Sequence, residues 1–160
     1  MESRAMRNFA LLLSAITLMS ISGVLWAQDK TTSSFSFNHL ALSVENIDNS
    51  ADFYKDVFGP QEITNRTEIA GIRWFSLGEG KELHLISILR EDVVVNKAVH
   101  FALTTSNFDS FVETLNTLNI NYSDWPGTPS RINIRADGIK QIFLQDPDGY
   151  WIEVNSVGQD

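Results

Sequence analysis

Ten residues occur twice in this chain. His39-Leu40-Ala41-Leu42-Ser43-Val44-Glu45-Asn46-Ile47-Asp48 aligns without a gap on His100-Phe101-Ala102-Leu103-Thr104-Thr105-Ser106-Asn107-Phe108-Asp109, sharing the pattern H-x-A-L-x-x-x-N-x-D. A chain of 160 residues has room for one compact globular domain, so the repeat implies two like modules around a shared core rather than two independent domains. Both copies alternate as strands do. His, Ala and Ser/Thr point one way, while Leu40, Leu42 and Val44, or Phe101 and Leu103, point the other. A histidine followed on its own face by small residues leaves space beside its ring.

Each copy then turns into a helix. The first is expected to be capped by Asp48 or Asn49, to carry an apolar stripe at Phe53, Tyr54, Val57 and Phe58, and to end at Gly59-Pro60. The second stripe runs Phe108, Phe111, Val112, Leu115, Leu118; both stripes read as packing faces. Three β-like segments follow in each half, separated by turn residues. They are Ile63–Ile69, Ile72–Leu77 and Leu83–Leu89, then Arg131–Arg135, Ile139–Gln145 and Tyr150–Asn155. Each module therefore reads βαβββ, over about 35–90 and 97–156. Between the second helix and its strands, Asn121 to Ser130 holds Trp125-Pro126-Gly127 and Pro129 and reads as an irregular flap.

Ahead of the modules, Arg4 and Arg7 precede an apolar stretch from Phe9 to Trp26, with Ala27 before the polar Gln28-Asp29-Lys30. That is the pattern of a signal peptide over 1–27 followed by a linker over 28–34, with an uncleaved membrane anchor as the alternative. The expected location is the periplasm or the outside of the cell, with no membrane needed once the leader is cut. Twenty acidic residues against 12 basic ones give a net charge of −8 and no Lys/Arg cluster, which argues against nucleic acid as a partner. The chain has no cysteine, so any metal must be held by His, Asp or Glu.

Two βαβββ modules with a histidine opening each, closed by Asp146-Pro147-Asp148-Gly149-Tyr150-Trp151-Ile152-Glu153, resemble the vicinal oxygen chelate superfamily. It includes glyoxalase I, extradiol dioxygenases, fosfomycin-resistance enzymes and bleomycin-resistance proteins. The resemblance covers about residues 35 to 156. It implies an α+β fold in which two modules with curved mixed sheets form a half-open barrel around one divalent ion, such as Zn, Ni, Co, Mn or Fe(II). The ligand places of the family fall on His39, His84, His100 and Glu153. Imidazole and carboxylate suit such an ion, and all three histidines of the chain occupy those places. Within the family His84 is the variable member, because some relatives use only the two first-strand histidines and the last-strand glutamate.

Three functions follow from the resemblance. A glyoxalase I-like lyase or isomerase would act on a small oxygenated substrate through an enediolate, with Glu153 as both ligand and catalytic base. An extradiol-type dioxygenase would use His39, His100 and Glu153 as a facial triad for iron. A resistance-type module would bind a small molecule without catalysis. The first is the leading expectation. Export would part the protein from cytoplasmic glutathione, although Arg66, Arg73, Arg131 and Arg135 offer local positive charge. Members of the family can build one site from two chains, so a homodimer is left open. The Asp146-to-Gly149 run is explained as a tight turn alone. Trp74, Trp125 and Trp151 could line a pocket, with core packing expected for at least one.

Overall fold

The structure is a computed structural model that describes residues 35–89 and 93–158. The expected leader and linker lie outside them. In the first module, β1 (His39–Ser43), β2 (Gln61–Ile63), β3 (Ile72–Gly78) and β4 (Lys81–Ile86) form a sheet of order β1-β4-β3-β2, with β1 parallel to β4 and the other pairs antiparallel. Helix α1 (Ile47–Phe58) crosses over between β1 and β2. In the second module, β5 (His100–Thr104), β8 (Lys140–Gln145) and β9 (Trp151–Asn155) repeat that layout, with α2 (Phe108–Thr117) after β5 and β5 parallel to β9. The chain thus adopts the α+β, two-module architecture that the repeat implies.

Alternation decides which face of each sheet is packed. Leu42, Val44, Phe75, Leu83 and Leu85 of the first sheet are buried with Ala51, Tyr54 and Val57 of α1. Ile142, Leu144, Ile152 and Val154 are buried with Phe108, Val112 and Leu115 of α2. At about 25 cal/mol per Å² of apolar surface, such burial is what holds each helix on its sheet. Phe58 and Phe111 stack between the helices with ring centroids 5.6 Å apart. The opposite faces carry the histidines, with His84 and Phe143 buried among their neighbours and His39 and His100 exposed.

Several local expectations change. The cap of α1 is Asn46, whose Oδ1 accepts from the N–H groups of Asp48 and Asn49; the repeat's asparagine, ahead of the expected Asp48 or Asn49, meets the orphan donors of the first turn. Gly59, at φ 67°, closes the helix in the left-handed conformation. The strand expected over Ile63–Ile69 shrinks to Gln61–Ile63, because Asn65 bonds Thr67 and turns the chain away. The flap contains a short strand, β6 (Tyr122–Ser123), on β8, and only β7 (Asn133–Ile134) remains of the segment expected over Arg131–Arg135.

The Asp146-to-Gly149 run is more than a turn. Asp146 is buried, and its Oδ2 accepts from the Tyr54 hydroxyl at 2.8 Å, while Oδ1 accepts from the N–H groups of Tyr150 and Asp148. Asp148 accepts from the Glu45 N–H and the Ser50 hydroxyl, each at 2.6 Å. The Tyr150 hydroxyl donates to the Ser43 carbonyl. The last turn of module two is therefore clamped to the β1–α1 junction of module one. Burial pushes the carboxyl of Asp146 above its ordinary range, and burial also raises the Tyr54 hydroxyl, with Asp146 adding to it.

Candidate metal centre

The two histidine-bearing faces share one register. His39 lies opposite Glu82 and Ala41 opposite His84; His100 lies opposite Trp151 and Ala102 opposite Glu153. His84 is thus the positional counterpart of Glu153, as the repeat implies. On the next strand Trp74 lies opposite His84, and Phe143 opposite Glu153.

On the second face, His100 and Glu153 converge. The Nδ1 of His100 lies 2.9 Å from the Lys97 carbonyl oxygen, which can only accept, so Nδ1 carries the proton and Nε2 of the neutral ring is bare. That Nε2 faces Glu153 Oε2 at 3.5 Å. Asn155 Nδ2 donates to the other oxygen, Oε1, at 2.9 Å and so fixes how the carboxylate is presented. Two donors each about 2.1 Å from a tetrahedral ion stand roughly 3.4 Å apart, so this spacing suits a pair of ligands. A carbonyl on the imidazole and an amide on the carboxylate are hydrogen bonds of the kind that orient metal-binding side chains.

On the first face the histidines stack instead. His39 and His84 have ring centroids 4.4 Å apart and planes inclined by 13°, and His84 lies on Trp74 at 4.1 Å and 4°. Imidazole lone pairs lie in the ring plane, so two nearly parallel rings cannot direct them at one point. His84 Nε2 is 2.8 Å from Glu82 Oε2, an oxygen that only accepts, so this nitrogen is a donor. Its hydrogen bond holds Glu82 below the usual carboxylate range, helped by Arg66, whose guanidinium also lies over Trp74. His39 places Nδ1 2.7 Å from the Asn38 side-chain oxygen and keeps Nε2 bare.

The donor set with bare atoms is therefore His39 Nε2, His100 Nε2 and Glu153 Oε2, two imidazoles and a carboxylate, which fits a first-row divalent ion. Within one chain the three do not meet: among the described residues no group of three or more His, Cys, Asp or Glu is placed to hold an ion. The described tryptophans are all outside the core, contrary to expectation. Trp74 lies on His84, Trp125 meets His100 edge-on with centroids 6.0 Å apart, and Trp151 flanks His100 across the sheet. Lys97, Glu82 and Asn155 were missed in the sequence. The last two were findable, since each sits two residues from a ligand position on a strand and so shares its face; Lys97 lies in a loop and gives no such signal.

The family model for the Glyoxalase/Bleomycin resistance protein/Dioxygenase superfamily matches residues 36–154. The chain belongs to this superfamily. Among curated relatives, the Metallothiol transferase FosB of Staphylococcus saprophyticus is 27% identical over 126 residues, covering 76% of each protein, and that of Staphylococcus epidermidis is 27% identical over 126 residues, covering 76% of this chain and 81% of the relative. Among solved structures, Oxidase ChaP-H2 aligns at a TM-score of 0.63 and 20% identity over 77% of this chain and 94% of its own. The lactoylglutathione lyase of Agrobacterium tumefaciens aligns at 0.61 and 20%, over 79% and 96%. These last two share the fold.

Proposed function

We propose that the protein is a divalent-metal enzyme whose ion is held by His39, His100 and Glu153, with the two half-sites supplied by two copies of the chain. The observation that carries this is the His100–Glu153 pair, a bare Nε2 and a presented Oε2 at 3.5 Å with their other atoms already engaged. The missing ligand, His39, lies on the matching face of the other module and does not join them within one chain. A twofold arrangement that sets one chain's first face against the other's second completes two equal sites. Leu89, Val93, Val94 and Val99, exposed in the segment joining the modules, give such a dimer apolar surface to bury.

The reaction we assign is a glyoxalase-like proton transfer on a small oxygenated substrate. A bound ion would supply Lewis acidity to two neighbouring substrate oxygens. Glu153 takes the proton from the carbon beside the activated oxygen and returns it to the neighbouring carbon, so that the isomer forms with no net loss of protons. Asn155 holds the idle oxygen of the carboxylate during both steps, and His84 stays in its stack and makes no bond to the ion. A second reading, transfer of a thiol, is favoured by the curated relatives, whose name is metallothiol transferase. The N-terminal pattern would place either activity outside the cytoplasm.

Titration of the purified chain with Zn, Ni, Co, Mn and Fe(II), followed by assays with a hemithioacetal and with a thiol plus an electrophile, tests the reading. One ion per chain and turnover of the hemithioacetal are expected. Turnover of the thiol pair alone moves the assignment to the transferase, and no binding of any ion near neutral pH overturns both.

A further inference from the structure

Lys97 stands apart from the other cations of the chain. Every other described lysine and arginine has a carboxylate within ion-pair distance, as in Arg73 with Glu62 and Asp48, or Lys140 with Asp109. In an acidic protein, Lys97 has none among the described residues. Its Nζ donates instead to the Ser123 hydroxyl at 3.0 Å and to the Asp124 carbonyl. Three aromatic rings surround it, Phe143 and Trp151 at 4.8 Å and Trp125 at 6.0 Å from their centroids. Two neutral acceptors and three ring faces hold a cation without cancelling its charge, and one of its three donors is left over.

The location gives this charge a use. Phe143 lies opposite Glu153 and Trp151 opposite His100 in the sheet, and His100 meets both Phe143 and Trp125 edge-on. A groove of about 540 Å³ under the flap shares Ser123, Phe143 and Trp151 with the lysine's surroundings. The fixed cation therefore stands beside the strands that carry His100 and Glu153, and its neighbours Ser123, Phe143 and Trp151 help to line the groove.

We propose that Lys97 receives an anionic group of the substrate, a carboxylate, while Trp125 and Trp151, which unlike Phe143 are not buried, pack against its apolar body. This rests on the site reading above, and it narrows the substrate class to anions with a flat or apolar body. A neutral analogue would leave the lysine uncompensated. A carboxylate gains a charge-assisted hydrogen bond, which is worth about tenfold or more in affinity.

The test compares benzoate with benzamide, which match in shape and differ in charge, on the full chain stripped of metal with a chelator. Binding is followed through the indole N–H signals of Trp125 and Trp151 in nitrogen-15 spectra. Wild type is expected to bind benzoate at least about tenfold more tightly than benzamide, and Lys97→Met is expected to lose the difference. Lys97→Gln, which keeps a donor for the Asp124 carbonyl, repeats the measurement if the Met variant does not fold. Equal binding of the two probes by wild type, or an undiminished preference for benzoate in both variants, overturns the proposal. Because metal is absent throughout, a failed metal titration leaves this result readable, and a failed benzoate preference leaves the metal reading standing.

Discussion

The two histidine-bearing sheet faces have the same backbone register and opposite behaviour. In the second module, the ligand position of the last strand holds Glu153, flanked on its own face by Trp151 and Asn155. Trp151 offers it no hydrogen bond, and Asn155 takes one oxygen, so the other stays open toward His100. In the first module the same position holds His84, flanked by Glu82 and Ile86. Here Glu82 takes the Nε2–H of His84, and Trp74 gives the ring a surface to lie on. Register places a side chain at a site, but its neighbours two residues away decide what its polar atoms are free to do. By that rule the second face presents a facing imidazole and carboxylate, His100 and Glu153, whereas the first presents His39 backed by a stack; the proposed ligand set follows from that difference.

The largest effect expected from breaking this difference is at Glu153. Glu153→Gln removes the only anionic donor and should weaken metal binding by about a hundredfold or more, read by calorimetric titration. His39→Ala and His100→Ala should each cost about tenfold or more in the same measurement, and the two losses should be similar although the residues stand on different modules. Asn155→Ala should cost less than either, up to about tenfold, because it touches the carboxylate and not the ion.

The clamp between the modules gives an effect on stability. Tyr54→Phe deprives buried Asp146 of one donor and should lower unfolding stability by about 1–3 kcal/mol in urea titrations. Its pH dependence has a defined sign. The folded-state pKa of Asp146 lies above its ordinary value of 3.8, so the folded state holds this proton more tightly than the unfolded chain does. The stabilisation is complete below that ordinary value and is lost as pH rises through the raised one. Asp146→Asn should remove this contribution, seen as a flatter fall of the thermal midpoint with rising pH across that window.

The smallest change is expected at His84. His84→Ala should leave metal affinity within about threefold of wild type, since Glu82 and Trp74, not the ion, hold this ring. A loss as large as that at His39 would restore the four-ligand site and would mean that the stack opens when metal binds.

The sequence carried the two modules and the matching places of His39 and His100 for a physical reason. Strand alternation and a gapless repeat fix both register and face, and these are backbone properties. It could not show that His84 is engaged, because Glu82 can face its neighbour equally in a four-ligand site, and the choice depends on rotamers and on Trp74 arriving from β3. The clamp was hidden for a similar reason: Asp146 and Asp148 satisfy the rules of a turn, and their partners Tyr54, Ser50 and Glu45 lie in the other module. Lys97 was invisible because its isolation from carboxylates exists only once all the other cations have found theirs.

The proposed division of the metal centre between two copies is tested most directly by mixing two inactive variants. His39→Ala and Glu153→Gln chains are unfolded together, refolded together and titrated with the preferred ion. In a mixed dimer, one site would join the intact His39 of one chain to the intact His100 and Glu153 of the other. Binding should therefore return in the mixture, to roughly a quarter of wild-type capacity for random pairing, since half of the dimers are mixed and each has one of two sites intact. If refolding the mixture restores no binding while refolded wild type regains it, the site does not lie between chains, and His39 must reach His100 and Glu153 within its own.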